Sequence, residues 1–150
     1  MNDKDLEQGS SATPFSTFFW AALKDDWTTA EAQLADDIEW DMMPNNQIRK
    51  GKANVLPFLK ASRYASAKEP IPIHNRADKE WGVWEYWNIG TVDKGIIEFA
   101  KQSKWPFPAD ISTIIGKKYK VAVCFNINAK GQIDLLREYT DIASIMTQFK

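Results

Sequence analysis

The 150-residue chain reads as an α+β domain. The expected architecture is a cone-shaped, curved, mostly antiparallel sheet with N-terminal helices packed on its concave face, enclosing a pocket. Three observations predict it. Helical spacing dominates the first part of the chain, and strand patterns dominate the rest. The two longest strand patterns, YKVAVCFNI and QIDLLREYT, are joined by the short turn NAKG, which suits an antiparallel hairpin. Aromatic residues make up 13% of the chain, seven of them Trp; such side chains supply large buried area or line apolar cavities.

The elements follow in order. Residues 1–12 are polar and are expected to be flexible, leaving one domain over 13–150. TPFSTFFWAALKDDW opens with Thr13 as a helix cap and Pro14 at the first helical position. Phe15, Phe18, Phe19 and Ala22 then fall on one helical face. TTAEAQLADD predicts a second, shorter helix, with Thr28 and Glu31 spaced as a capping box. The acidic pairs Asp25–Asp26 and Asp36–Asp37 read as surface charges and caps at helix ends. In IEWDMMP, Ile38, Trp40 and Met42 alternate with polar neighbours, giving a strand ended by Pro44. NNQIRKGK reads as a loop. ANVLPFLKASRYA predicts a third helix, with Asn54 as its cap and Pro57 in its first turn. PIPIHN is extended because of its prolines. GVWEYWNIGTV and KGIIEFA read as strands, and DIASIMTQF as a final helix capped by Asp141.

Composition excludes several function classes. A net charge of −1 without a basic stripe argues against nucleic acid. The single cysteine, Cys124, rules out an internal disulfide and a cysteine metal cluster. The single histidine, His74, removes His-rich metal sites and any Ser–His–Asp arrangement not built on itself. The first residues, MNDKDLEQGSSATP, lack the apolar core of a signal peptide. No apolar run approaches the roughly 20 residues that span a bilayer. A cytoplasmic protein with no membrane partner, no metal and no cofactor is expected.

Three stretches carry a resemblance to a known family: LKDDWTTAEAQLADDIEWDMMP, RKGKANVLPFL and CFNINAKGQIDLLREYTD. The sequence resembles the SnoaL-like and limonene-epoxide-hydrolase-like branch of the nuclear-transport-factor-2-like superfamily. The resemblance implies a cone fold with a deep apolar pocket, often dimeric. Family members include hydrolases, cyclases, isomerases and proteins that only bind, so fold membership does not settle function. In the epoxide hydrolases the acid of the final Arg–acid–Tyr motif faces the pocket. That acid is Glu138 here, so the resemblance turns Glu138 and Leu136 inward and Arg137 outward. The hydrolases' paired Arg and Asp correspond to Tyr86 and Asn88. Their water-holding Tyr and Asn correspond to Trp40 and Met42. The ketosteroid isomerases' helix Tyr falls near Phe18, and their base corresponds loosely to Asp41. Neither mechanism transfers intact.

Glu138, Asn88 and Tyr86 are therefore the catalytic candidates. Trp40, Met42, Tyr119, Val121, Val123 and Leu136 are the candidate pocket walls. A turn pairing Ile127 with Gln132 would set Val121 across from Glu138 and Val123 across from Leu136. Glu138 among such neighbours would hold a raised pKa and serve as an acid or a base. The plainer alternative is a buried carboxyl satisfied by Tyr119, Tyr86 or Asn88, or one inverted by a bulge into solvent. Trp40 and Met42 are otherwise ordinary core, Asp41 a solvated or loop-capping residue, and His74 a surface group. The expected function is binding of a small hydrophobic molecule, with acid–base chemistry of isomerase, cyclase or hydrolase type. The alternatives are a non-catalytic binding protein and a structural dimer module. Ala122, Cys124, Leu135 and Tyr139 would make the outer strand face apolar enough for a homodimer. Residues 101–118, rich in Trp, Phe and Ile, are expected to close the pocket.

Overall fold

A computed structural model describes residues 13–43, 47–65, 70–89 and 116–141, together with Thr147. The expected flexible N-terminus, the KGIIEFA strand, nearly all of the pocket-closing segment and the final helix stripe lie outside those residues.

Helix α1 (Pro14–Leu23) starts as its sequence requires. Thr13 and Ser16 exchange side-chain-to-backbone hydrogen bonds of 2.9 and 3.1 Å, satisfying two amides the helix cannot reach. Phe15, Phe18, Ala21 and Ala22 are buried along one stripe. The chain leaves through Asp25, in the left-handed region at φ 60°. Helix α2 (Trp27–Ala32) begins one residue before the expected Thr28. Its cap is instead Asp26, whose carboxylate accepts from the Thr29 amide at 3.1 Å. The helix stops at Ala32 because the next strand has already begun.

Strand β1 (Leu34–Met43) is longer than its alternating core suggests. Asp36 and Asp37 sit exposed on this strand rather than at a helix end. Strand β2 (Gln47–Lys50) replaces the expected loop. Four mostly polar residues carry no apolar alternation to announce a strand; the pairing comes from the edge of β1, helped by a Lys50–Glu39 ion pair at 2.9 Å. Gly51, at φ 83°, turns the chain into α3 (Lys52–Ala65). Asn54 therefore lies inside the helix, its amide nitrogen donating to the Lys50 carbonyl at 2.9 Å, and Pro57 falls in the second turn.

Four strands complete the sheet: β3 (Ile71–Ala77), β4 (Trp81–Ile89), β5 (Lys118–Ile127) and β6 (Ile133–Thr140). The spatial order is β2-β1-β6-β5-β4-β3. All neighbours are antiparallel except β1 and β6, which run parallel. The sheet is curved and unclosed, with the N-terminal helices on its inner face. The β5–β6 turn uses Gly131 at φ 77°, as its sequence predicts. Its register differs from expectation: Ile127 pairs with Ile133, Val123 with Glu138 and Val121 with Thr140. One residue of this slip arises in the turn, where the Asn128 amide donates to the Gln132 carbonyl at 2.8 Å, and the second in a bulge. Ile133 is fully buried, and so is Leu136 three residues later. A regular strand cannot turn both inward, so one extra residue is accommodated beside Asn126.

Aromatic packing closes one end of the cone. Phe15 of α1 stacks on Phe125 of β5, with centroids 4.7 Å apart, and lies 5.7 Å from the Trp84 ring. Phe19 reaches Trp84 at 5.1 Å and Tyr86 at 5.3 Å. Gly82 makes room for this cluster. A Cβ there would strike the Phe125 ring and approach the Arg76 carbonyl oxygen to 2.7 Å. Gly82→Ala should therefore lower stability by about 1–3 kcal/mol, read as a reduced urea midpoint; an unchanged midpoint would show that Phe125 is not held in place.

Candidate functional site

The C-terminal ends of β1, β4 and β6 and the N-terminal end of β5 meet at one end of the sheet. Alternation sends Trp40 and Met42, Tyr86 and Asn88, Tyr119, Val121 and Val123, and Leu136 and Glu138 to the inner face. Every one of these except Glu138 is buried. The inner face thus brings all nine expected site residues together. The end near Trp84 and Phe125 is mainly aromatic and aliphatic, with the Trp84 indole and the Asn75 side chain as its polar groups; the end near Tyr86, Asn88, Tyr119 and Glu138 carries a carboxyl, two phenols and an amide.

Glu138 is half-buried, and protein atoms crowd its carboxyl. Burial raises its pKa from 4.5 to about 7, and the Thr140 hydroxyl, 3.4 Å from one carboxylate oxygen, opposes the rise weakly. Val123 stands directly across from it and Met42 beside it on the parallel strand, so two of its neighbours are apolar. The expected rescue by Tyr119, Tyr86 or Asn88 does not occur. Asn88 instead donates from its amide nitrogen to the Tyr119 hydroxyl at 2.8 Å. Its own amide oxygen accepts from the Ile89 backbone at 3.1 Å, which fixes its orientation.

The two phenols behave differently from the acid. Burial raises the Tyr119 pKa first and the Glu138 charge second, opposed by the Asn88 hydrogen bond. Burial, then Glu138, then Tyr119 raise Tyr86 as well. Both phenols therefore stay protonated and can act only as neutral hydrogen-bonding groups. Among the described residues the Tyr86 hydroxyl makes no hydrogen bond. The site combines a carboxyl poised near neutrality with a phenol positioned to donate.

Arg137 points outward, as expected, and Asp41 follows it. Asp41 is neither solvated nor a loop cap: it is buried on the outer face and accepts from the Arg137 Nε at 2.8 Å. That bond raises the Arg137 pKa further. Asp41 is therefore turned away from Glu138 and the inner face. His74 lies exposed on β3 with its Nδ1 2.8 Å from Glu85, also on the outer face. Cys124 alternates outward. Residues that sequence reasoning passed over include Arg49, whose guanidinium lies 3.1 Å from the Phe58 ring centroid, and Thr140. No motif marks either: their roles come from register alone.

No protein-family model matches the chain, and no curated protein does. Solved structures do. A protein from Jannaschia sp. CCS1 described as a SnoaL-like polyketide cyclase is 14% identical with a TM-score of 0.62, covering 93% of this chain and 96% of its own. One from Kribbella flavida described as a ketosteroid isomerase is 12% identical with a TM-score of 0.58, covering 85% and 74%. A nuclear-transport-factor-2-like protein of unknown function from Burkholderia xenovorans is 10% identical with a TM-score of 0.59, covering 85% and 79%. At these identities the likeness shows the fold alone, the curved-sheet cone that these proteins share. Among the described residues no helix is long and apolar enough to cross a membrane.

The raised Glu138 pKa fixes the sign of a pH effect. Below pH 4.5 the carboxyl is protonated folded or unfolded, and the group contributes no difference. Between 4.5 and about 7 the unfolded chain releases a proton the folded protein keeps, so stability falls as pH rises. The loss is about 3 kcal/mol at most. Glu138→Gln should remove it, so its melting temperature relative to wild type should climb between pH 4 and 8. Parallel curves for the two proteins would mean the carboxyl is not held in a desolvating site.

Proposed function

We propose that the inner face binds a small hydrophobic molecule and that Glu138 transfers a proton to or from it. The observation that carries this reading is the Glu138 carboxyl itself. It is turned inward among apolar neighbours, has a pKa of about 7, and is held by nothing stronger than a long contact to Thr140. A purely structural carboxyl in such a place would be expected to hold strong hydrogen bonds or a cation.

The chemistry follows from what each group can do. At neutral pH Glu138 is present in both forms, which suits one residue taking a proton at one carbon and returning it at another. The Tyr86 hydroxyl can donate to an oxygen that gains negative charge as the proton leaves. Asn88 orients Tyr119, whose phenol adds a second dipole at the same end. Trp40, Met42, Val121, Val123 and Leu136 form walls that select an apolar molecule and exclude water. An apolar ketone or enone that isomerises, cyclises or adds water through an enol fits this arrangement. The nearest class in kind is isomerase or cyclase, the activities named for two of the similar structures.

The test is proton exchange. The protein in D2O with simple cyclic ketones should wash deuterium into the carbon beside the carbonyl. Glu138→Gln should slow this by roughly a hundredfold or more. Equal exchange by both proteins would remove Glu138 from the chemistry. Binding without exchange would leave the non-catalytic reading, an aromatic pocket that only holds its ligand.

A homodimer is a second part of this proposal, and it has its own observation. The large hydrophobic side chains exposed among the described residues are Ile48 at 51%, Ile71 at 38%, Trp81 at 55% and Tyr139 at 43%. Alternation puts all four on the outer face, beside Ala122, Cys124 and Leu135. A face this apolar favours a second copy over water. Light scattering at micromolar concentration should give twice the chain mass, and Tyr139→Arg should shift it toward one chain mass. A monomer in the unmodified protein would overturn the dimer.

A further inference from the structure

We infer that Trp84 and Asn75 form a second polar subsite on the inner face, which takes a hydroxyl group of the bound molecule. The inference rests on the pocket reading above and extends it to the class of ligand. Trp84 is fully buried, and among the described residues its indole N–H has no hydrogen-bond partner. The side-chain oxygen of Asn75 is buried and has none either. These are not scattered defects. Asn75 and Trp84 are direct partners in the β3–β4 register, so their side chains leave the same face side by side. The large majority of buried side-chain polar atoms in proteins are bonded. An orphan donor and an orphan acceptor standing opposite each other point to one missing group that serves both.

The group's chemistry is narrow. It must accept from Trp84 and donate to Asn75. A hydroxyl does both; a carbonyl oxygen satisfies only the indole, and an ammonium only the amide oxygen. A carboxylate would lie among the Phe15, Phe19 and Trp20 rings, whose centroids are 5.7, 5.1 and 6.2 Å from that of Trp84, and would be strongly desolvated there. Tyr86, whose hydroxyl is also unbonded among the described residues, lies two residues along the same strand, a step of about 7 Å at the backbone. The ligand class that meets both places is an apolar ring compound with an oxygen at each end: one at Tyr86 and Glu138, and a hydroxyl at Trp84 and Asn75.

The test compares acetophenone with para-hydroxyacetophenone. Binding is followed by titration and by the indole ¹⁵N–¹H signal of Trp84, identified by its loss in Trp84→Phe. The hydroxylated ketone should bind roughly fivefold tighter and should move the Trp84 signal, whereas acetophenone should not. Trp84→Phe keeps the ring and removes the donor; Asn75→Ala removes the acceptor. Each should bring the affinity ratio close to one with acetophenone affinity retained. Should Trp84→Phe fail to fold, Asn75→Ala on the outermost strand carries the test. Glu138→Gln should leave the ratio intact, which separates this subsite from the acid–base reading. A ratio that survives both substitutions overturns the subsite and leaves the pocket standing. So does a lasting contact between the Trp84 N–H and water with the phenol bound, since the niche then holds a buried water only. Failure of both ketones to bind at millimolar concentration overturns the pocket and the subsite together.

Discussion

Asp134 stands between Ile133, which pairs with Ile127, and Leu135, which pairs with Asn126, so two steps of β6 face one step of β5. The inward and outward sets of β6 exchange at that point. Had alternation run unbroken from the buried Ile133, Leu135, Arg137 and Tyr139 would enter the cone and Glu138 would face water. With the bulge, Leu136 continues the core, Glu138 enters the site and Arg137 meets Asp41 outside. The adjacent opposite charges of Arg137 and Glu138 never pair. One is held by an outer-face carboxylate and the other is left without a cation. The outer ion pair also locks the parallel contact between β1 and β6 at the level of the site, since Asp41 and Arg137 are register partners. That same register sets Met42 beside Glu138.

The two ends of the cone divide the work. At the closed end, α1 inserts Phe15 and Phe19 against Trp84, and the stacking of Phe15 on Phe125 anchors the helix to the sheet. This packing is apolar and requires no hydrogen bonds from its side chains, except at Trp84. At the other end the inner face carries a carboxyl, two phenols and an amide. Such a cluster would weaken a core that depended on it. It is tolerable because the apolar stabilisation lies elsewhere. A fold organised this way can vary the polar end without losing the cone, and structures described as cyclase and isomerase share it with this chain at 12–14% identity.

Much of this was legible from the residues, and the failures have physical causes. Thr13 with Pro14 marked the start of α1 because capping is local chemistry. The inward turn of Glu138 was legible from the hairpin pattern, even though the register inferred from the turn was wrong. A slip of two residues preserves the face, so the error left the site intact. The bulge was invisible because it answers to the burial of Ile133 against β1, a contact between residues a hundred positions apart. Strand β2 was missed for a related reason: Gln47–Lys50 has no strand signal of its own and pairs because β1 offers an edge. Asp41 was taken as solvated because no local pattern reveals that Arg137 lies beside it. What sequence showed well was set within a few residues; what it missed was set by partners across the sheet.

Glu138 and the phenols constrain each other, and that constraint narrows the chemistry. The Glu138 charge raises the pKa of Tyr119 and Tyr86 on top of burial, so ionised Glu138 makes both phenols poorer acids. Neither Tyr can become a competing base near neutrality. Among the described inner-face groups, Glu138 is thus the one suited to the proposed proton transfer. Protonation of Glu138 removes the charge of its own carboxyl, while the guanidinium of Arg49, paired in register with the inner-face Trp40, lies over the Phe58 ring. Among the described residues its polar inner-face companions are the neutral groups of Tyr86, Asn88, Tyr119 and Thr140, which under the proposed chemistry would steady a developing enolate oxygen without taking a proton. A site with one titrating group and several fixed donors favours reactions that return the proton they take. The proposed isomerisation or addition would meet that condition, since the carboxyl would end in the form it began in.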